Sequence, residues 1–125
     1  MPRRALQPEG MAVPTPPYSP VVVSGDTVYT AGQIANDPQG NLVAGGMAEQ
    51  ARRTLENVRS CVEAAGCTLD DVVKVNAYLA DLGDFPAYNE VYVEFFTQPY
   101  PARTSVQAGL PPGVLIEIEA IARKP

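Results

Sequence analysis

A chain of 125 residues, 46% of them apolar, can bury one core but is too short for two ordinary domains. Its net charge of -5 and its nine scattered Lys and Arg residues leave no basic cluster to follow a phosphate backbone, which argues against a nucleic-acid partner. The chain contains no histidine, and so lacks the commonest general base near neutral pH and the commonest metal ligand; two-histidine ribonuclease chemistry and histidine-dependent triads are excluded.

Residues 1–19 hold Pro2, Pro8, Pro14, Pro16 and Pro17, a density that disfavours helix and central strand and predicts an extended arm ending at Tyr18. Arg3 and Arg4 are followed by Pro8, Glu9 and Gly10 instead of an apolar run, so the arm does not read as a signal peptide. No later stretch is long and apolar enough to span a bilayer. The expected setting is soluble and cytoplasmic, with residues 20–125 as a single domain.

Pro20 to Val23 and Thr27 to Ile34 are rich in β-branched and aromatic residues, and Gly25 with Asp26 between them supplies a tight hairpin turn. Asn36 to Gly40 is turn chemistry, leading to the Gly45-Gly46 pair. Met47, Ala51, Leu55, Val58, Val62 and Ala65 then recur at steps of three and four before Gly66, which predicts an amphipathic helix with a glycine C-cap. Val72 to Ala80 reads as a strand. A second helix is expected from about Phe85 to Phe96, where Tyr88, Val91, Tyr92, Phe95 and Phe96 share a side and Pro99 and Pro101 follow. Thr104 to Ala108 and Leu115 to Ala122 close the chain as two strands, read as a hairpin around Leu110 to Val114.

The predicted fold is α+β, ordered β-β-α-β-α-β-β, with about five strands and both helices on one face of the sheet. The other face needs cover that so small a chain cannot supply, so an oligomer is expected. Cys61 and Cys67 are too few for a zinc site or a disulfide scaffold and read as free thiols. No metal or organic cofactor is expected.

Alternation groups Arg103, Ser105 and Gln107 on one face of their strand. Ile116, Ile118, Ala120 and Ala122 form an apolar face, with Glu117 and Glu119 pointing the other way. In a hairpin, Arg103 would pair near Ile121 and Glu117 near Gln107, leaving the two charges roughly 13 Å apart along the strands. A guanidinium fork suits a carboxylate and a separate glutamate can hold a water, so the pair suits an anionic substrate attacked by water. Gly32 fits either a close approach of backbone N–H groups to a ligand or, as glycine in a strand more often does, a bulge or close packing. Tyr18, Asn89 and Tyr92 could line a pocket, although such residues are often core or surface.

Tyr18, Ala31-Gly32-Gln33, Asn89, Pro101-Ala102-Arg103 and the run Ile116 to Ala122 together resemble the Rid family of reactive-intermediate imine deaminases, also called YjgF-like proteins and often labelled endoribonuclease L-PSP. The resemblance runs from about Tyr18 to Arg123. It implies a chorismate-mutase-like fold that assembles as a homotrimer, its sheets forming a central β-barrel, with a site in each cleft between subunits. It also implies that Arg103 clamps the substrate carboxylate, that Glu117 holds the attacking water, that the Gly32 backbone contacts the ligand, and that Tyr18 and Asn89 line the cleft. The implied reaction is hydrolysis of 2-imino or enamine acids, such as 2-iminopropionate and 2-iminobutyrate, to 2-keto acids and ammonia. Ser105 stands where many deaminase members have cysteine, and Ala31 where many have serine, so both belong to the implied site. A non-catalytic trimer that binds or senses small carboxylates is the alternative, and endoribonuclease activity a more distant one.

Overall fold

In the computed structural model, which describes residues 2–125, the arm contributes a strand that its prolines concealed. Arg4–Leu6 (β1) pairs antiparallel with Val21–Ser24 (β2), Arg4 opposite Val23 and Leu6 opposite Val21. Pro2 and Pro8 lie just outside this stretch, and an edge strand needs partners along one side only, which is where proline-flanked strands are tolerated. The sheet therefore has six strands instead of about five.

The hairpin between β2 and Thr27–Thr30 (β3) turns at Gly25, whose φ of 59° is open to glycine at little steric cost. Met47–Ala64 (α1) follows, its N-terminus fixed where the Gly46 N–H donates to Glu49 Oε1 at 2.7 Å. All six apolar positions of the predicted periodicity are buried, and Gly66 ends the helix at φ 84°. Burying each of the larger of these side chains stabilises the fold by about 1.5–3 kcal/mol.

Val72–Leu79 (β4), Phe85–Phe95 (α2) and Ala102–Gln107 (β5) form a β-α-β crossover, so β4 and β5 run parallel. Ile116–Arg123 (β6) enters antiparallel between β3 and β4, giving the order β1-β2-β3-β6-β4-β5. This corrects the expected terminal hairpin: β5 and β6 are not neighbours, because β4 lies between them. The loop joining them passes over the end of β4, where the Ala108 N–H donates to the Leu79 carbonyl at 2.9 Å and the Ala80 N–H to the Leu115 carbonyl at 3.0 Å. Its Pro-Pro-Gly turn is real, but it makes a crossing between strands that do not pair.

Register fixes which side chains share a face. Val75 lies opposite both Arg103 and Ala120, and Ala77 opposite both Ser105 and Ile118. Val75, Ala77, Ile118 and Ala120 are buried in the core with α1 and α2. The opposite face carries Tyr29, Val106, Asn76, Tyr78, Glu117 and Glu119, with Tyr29 and Val106 exposed. Among the described residues no helix is long and apolar enough to cross a membrane.

Candidate active site

The expected site residues fall into two groups. Arg103, Ser105 and Asn89 belong to the first, beside α2. On most strands polar side chains point away from the core, but on edge strand β5 the order is reversed: Arg103 and Ser105 face α2, while Val106 is exposed on the outer side. The Arg103 guanidinium lies 5.4 Å from the ring centre of Phe85, 5.0 Å from Tyr88 and 4.6 Å from Tyr92. Three ring faces stabilise the cation and restrict its motion.

Among the described residues no carboxylate pairs with Arg103. The buried hydroxyls of Ser105, Tyr88 and Tyr92 have no hydrogen-bond partner, although unsatisfied buried polar atoms are costly and uncommon. Burial pushes the Tyr92 phenol up to about 12 and also raises that of Tyr88, the latter against the opposing charge of Arg103. Both phenols are therefore neutral donors at pH 7. A shallow cavity of about 260 Å³ opens here, lined by Asn89, Tyr92, Val93, Tyr100, Pro101 and Arg103. It offers a positive fork and uncharged polar groups with no anion of its own.

Tyr18, Ala31, Gly32 and Glu117 belong to the second group, around a larger open depression of about 780 Å³ beneath the arm. The path of the backbone there departs from the predicted strand. Tyr29 lies opposite Ile121, yet the next bridge joins Gln33 to Ile118. Four steps from Tyr29 to Gln33 thus face three from Ile121 to Ile118, a bulge of one residue. Beyond it the ladder resumes, with N–H to carbonyl bonds of 2.8 and 2.9 Å exchanged between Gln33 and Ile118.

The bulge sets Gly32 against the Glu117 side chain. A Cβ at position 32 would lie 2.9 Å from Glu117 Cδ and 3.1 Å from Cγ, and closer still to Oε2. The bulge and close-packing reading of Gly32 is thus correct, the packing partner being Glu117. The Glu117 carboxylate makes no hydrogen bond among the described residues, whereas Glu119 accepts from the Tyr78 hydroxyl at 3.1 Å and from Asn76 Nδ2 at 3.4 Å. Half-burial first, and the Glu119 charge second, raise the Glu117 carboxyl above its ordinary value. Such a group is a better proton acceptor than a solvated glutamate and has unused lone pairs for a water.

Arg103 and Glu117 do not converge within one chain. Their strands are separated by β4, and their side chains leave opposite faces of the sheet. Sequence reasoning missed the aromatic shelf of Phe85 and Tyr88 under Arg103, because such residues on an apolar helix face read as core. It also missed Asn76 and Tyr78, whose proximity to the glutamates depends on β4 lying beside β6.

A model of the family described as Endoribonuclease L-PSP matches residues 10–124. The chain is 48% identical over 118 residues to a RutC family protein of Pyrococcus horikoshii, covering 93% of this chain and 94% of that one. It is 47% identical over 108 residues to human 2-iminobutanoate/2-iminopropanoate deaminase, covering 85% and 79%. Among solved structures, Escherichia coli TdcF with bound serine superimposes with a TM-score of 0.90 at 40% identity, covering 98% of this chain and 99% of that one.

Proposed function

Because the chain belongs to the Endoribonuclease L-PSP family, the YjgF-like or Rid proteins, we propose that it hydrolyses small 2-imino acids to 2-keto acids and ammonia. The observation that carries this reading is the unpaired Arg103 guanidinium, held on three aromatic rings beside partnerless hydroxyls. That arrangement fits a carboxylate with an adjacent polar group. The deaminase name of the human relative and the serine bound to TdcF, itself a small amino acid, point to the same ligand class.

In the proposed mechanism two oxygens of the substrate carboxylate take the fork of Arg103, which fixes the neighbouring imine carbon. In this reading Asn89, which lines the same cavity, contacts the rest of this small head, with the buried Ser105 hydroxyl behind it. Glu117 accepts a hydrogen bond from a water and draws off its proton as the oxygen bonds to the imine carbon. The same proton then goes to the nitrogen to give a carbinolamine. Glu117 next takes the hydroxyl proton and passes it to that nitrogen, so the C–N bond breaks as the C=O forms and ammonia leaves. Water supplies the oxygen, so the reaction balances with no redox partner or cofactor.

Since one chain directs Arg103 and Glu117 away from each other, the reading requires that they meet across an interface. A homotrimer in which the uncovered sheet faces form a barrel meets that need, each cleft taking Arg103 from one subunit and Glu117, Gly32, Ala31 and Tyr18 from the next. RNA is not the substrate in this reading: the chain has no histidine and a net charge of -5. The test is keto-acid release from imines generated in situ by a threonine or serine dehydratase. Equal rates with and without the protein would refute the proposal, and saturable keto-acid binding without turnover would make it a carboxylate-binding trimer.

A further inference from the structure

Thr30, at the end of β3, is nearly buried, and its side chain does what a backbone group ordinarily does. Along the ladder between β3 and β6, Lys124 N–H donates to the Asp26 carbonyl at 2.8 Å, and Val28 faces Ala122 two residues on. Antiparallel strands exchange such bonds at every second pair, so the next in line for the Ala120 N–H is the Thr30 carbonyl. Instead the Ala120 N–H donates to Thr30 Oγ1 at 3.0 Å. On its other side the strand remains tied to β2, where the Ala31 N–H donates to the Pro20 carbonyl at 2.8 Å.

We propose that Thr30 is a positioning residue for Glu117: its hydroxyl satisfies the N–H that the bulge would orphan, and so holds the extra residue open with Gly32 seated against the glutamate. Without a side-chain acceptor at position 30, a buried amide is left unpaired and the chain gains by closing the bulge. Closing it shifts the register by one residue, turning Gly32 off the Glu117 face. Thr30 touches no substrate in this arrangement. It acts through the backbone.

Glu119 on its own strand and Tyr78, directly opposite on β4, are the charged and titratable neighbours of Glu117 in the sheet, while Glu9, Tyr18, Asp37 and Arg53 line the same depression; none of these lies on the bulge. A change in Glu117 titration on altering Thr30 therefore reports the bulge. This inference extends the proposed deaminase mechanism, but its first readout does not depend on turnover. The experiment compares Thr30→Val, which keeps the shape and removes the acceptor, with Thr30→Ser, which keeps the acceptor. Thr30→Ala, which leaves space for a water, replaces the valine variant if that one does not fold.

The side-chain carboxyl of Glu117 is titrated by carbon NMR in the intact protein, assigned with Glu117→Gln. The valine variant is expected to return it toward an ordinary carboxylate, and the serine variant to titrate like the parent. In the imine assay the valine variant should lose at least about tenfold in kcat with KM changed less than about twofold, since Arg103 is untouched, and serine should restore kcat. Parent-like titration of Glu117 in the valine or alanine variant overturns the proposal even if that variant is less stable. So does a serine variant that behaves like valine. If no imine is turned over by the parent protein, the titration alone decides.

Discussion

Arg103 lies on the helix-covered face of the sheet and Glu117 on the uncovered face, with β4 between their strands. Two charges placed this way cannot act on one small molecule within one chain. Adjacent strands lie roughly 4.8 Å apart, so the two backbones are separated by about 10 Å before the opposite directions of the side chains are considered. The proposed chemistry thus makes a quaternary demand that can be measured directly.

Two inactive variants should rescue each other. Arg103→Ala and Glu117→Gln each remove one half of every cleft, and either alone should give less than about a hundredth of the parent rate if its group is required. When the two are co-expressed in equal amounts and assemble at random as a ring, roughly a quarter of the clefts pair an intact Arg103 with an intact Glu117. The mixture should therefore recover about that fraction of activity. A mixture as inactive as its components would show that the two residues do not meet across subunits.

The guanidinium and the ammonium group are not equivalent on the aromatic shelf. Arg103→Lys keeps the charge but loses the planar fork that lies over Phe85, Tyr88 and Tyr92 and meets a carboxylate with two parallel bonds. A charge-assisted hydrogen bond contributes about 1.5–3 kcal/mol. Arg103→Ala should accordingly weaken keto-acid binding at least about tenfold, with Arg103→Lys recovering only part of it. Calorimetric titration with pyruvate or 2-ketobutyrate would measure this, and a lysine variant that binds like the parent would reduce Arg103 to a simple point charge.

Much of this was legible in the residues, and the failures have specific causes. The three- and four-residue steps of α1 and the Gly66 stop arise from local geometry, so they can be read without knowledge of the fold. The polar grouping of Arg103 with Ser105, and of Glu117 with Glu119, also follows from alternation within a strand. What alternation cannot supply is the relation between two strands, and here β4 enters between β5 and β6. The assumption that polar residues face outward also fails at β5, where Arg103 lies against rings and Val106 is exposed. Strand β1 was hidden by flanking prolines; the bulge was legible in Gly32 within a run of β-favouring residues, but not that it seats Gly32 against Glu117, which depends on the pairing with β6.

The titration of Glu117 links activity to stability with a definite sign. Burial and Glu119 raise its folded-state pKa above the unfolded value, so the ionised form disfavours the fold. Its contribution to stability is fully present below the unfolded pKa, roughly 4.3, and is lost as pH rises through the folded pKa. Glu117→Gln should therefore raise the melting temperature at pH 7, with the gain vanishing toward pH 4. Turnover by the parent should fall on the acid side of the folded pKa, where the water loses its proton acceptor. Melting curves and kcat/KM measured over the same pH range check both statements; a glutamine variant less stable than the parent at neutral pH would contradict the first.

Gly32 offers the sharpest local test, because the space for its missing side chain is already taken. The φ of Gly32 is not in the left-handed region, so the backbone itself would accept alanine. The conflict is with Glu117, whose Cδ would lie 2.9 Å from the new Cβ. The far end of that side chain can rotate away, and if it does, Gly32→Ala leaves the fold nearly as stable while displacing the carboxylate. If it cannot, the overpacking costs about 1–3 kcal/mol. The expected result is a loss of kcat with a melting temperature within a few degrees of the parent, and keto-acid affinity kept by Arg103. An alanine variant with parent-like kcat would mean that the resting position of Glu117 against Gly32 is not the one from which it acts.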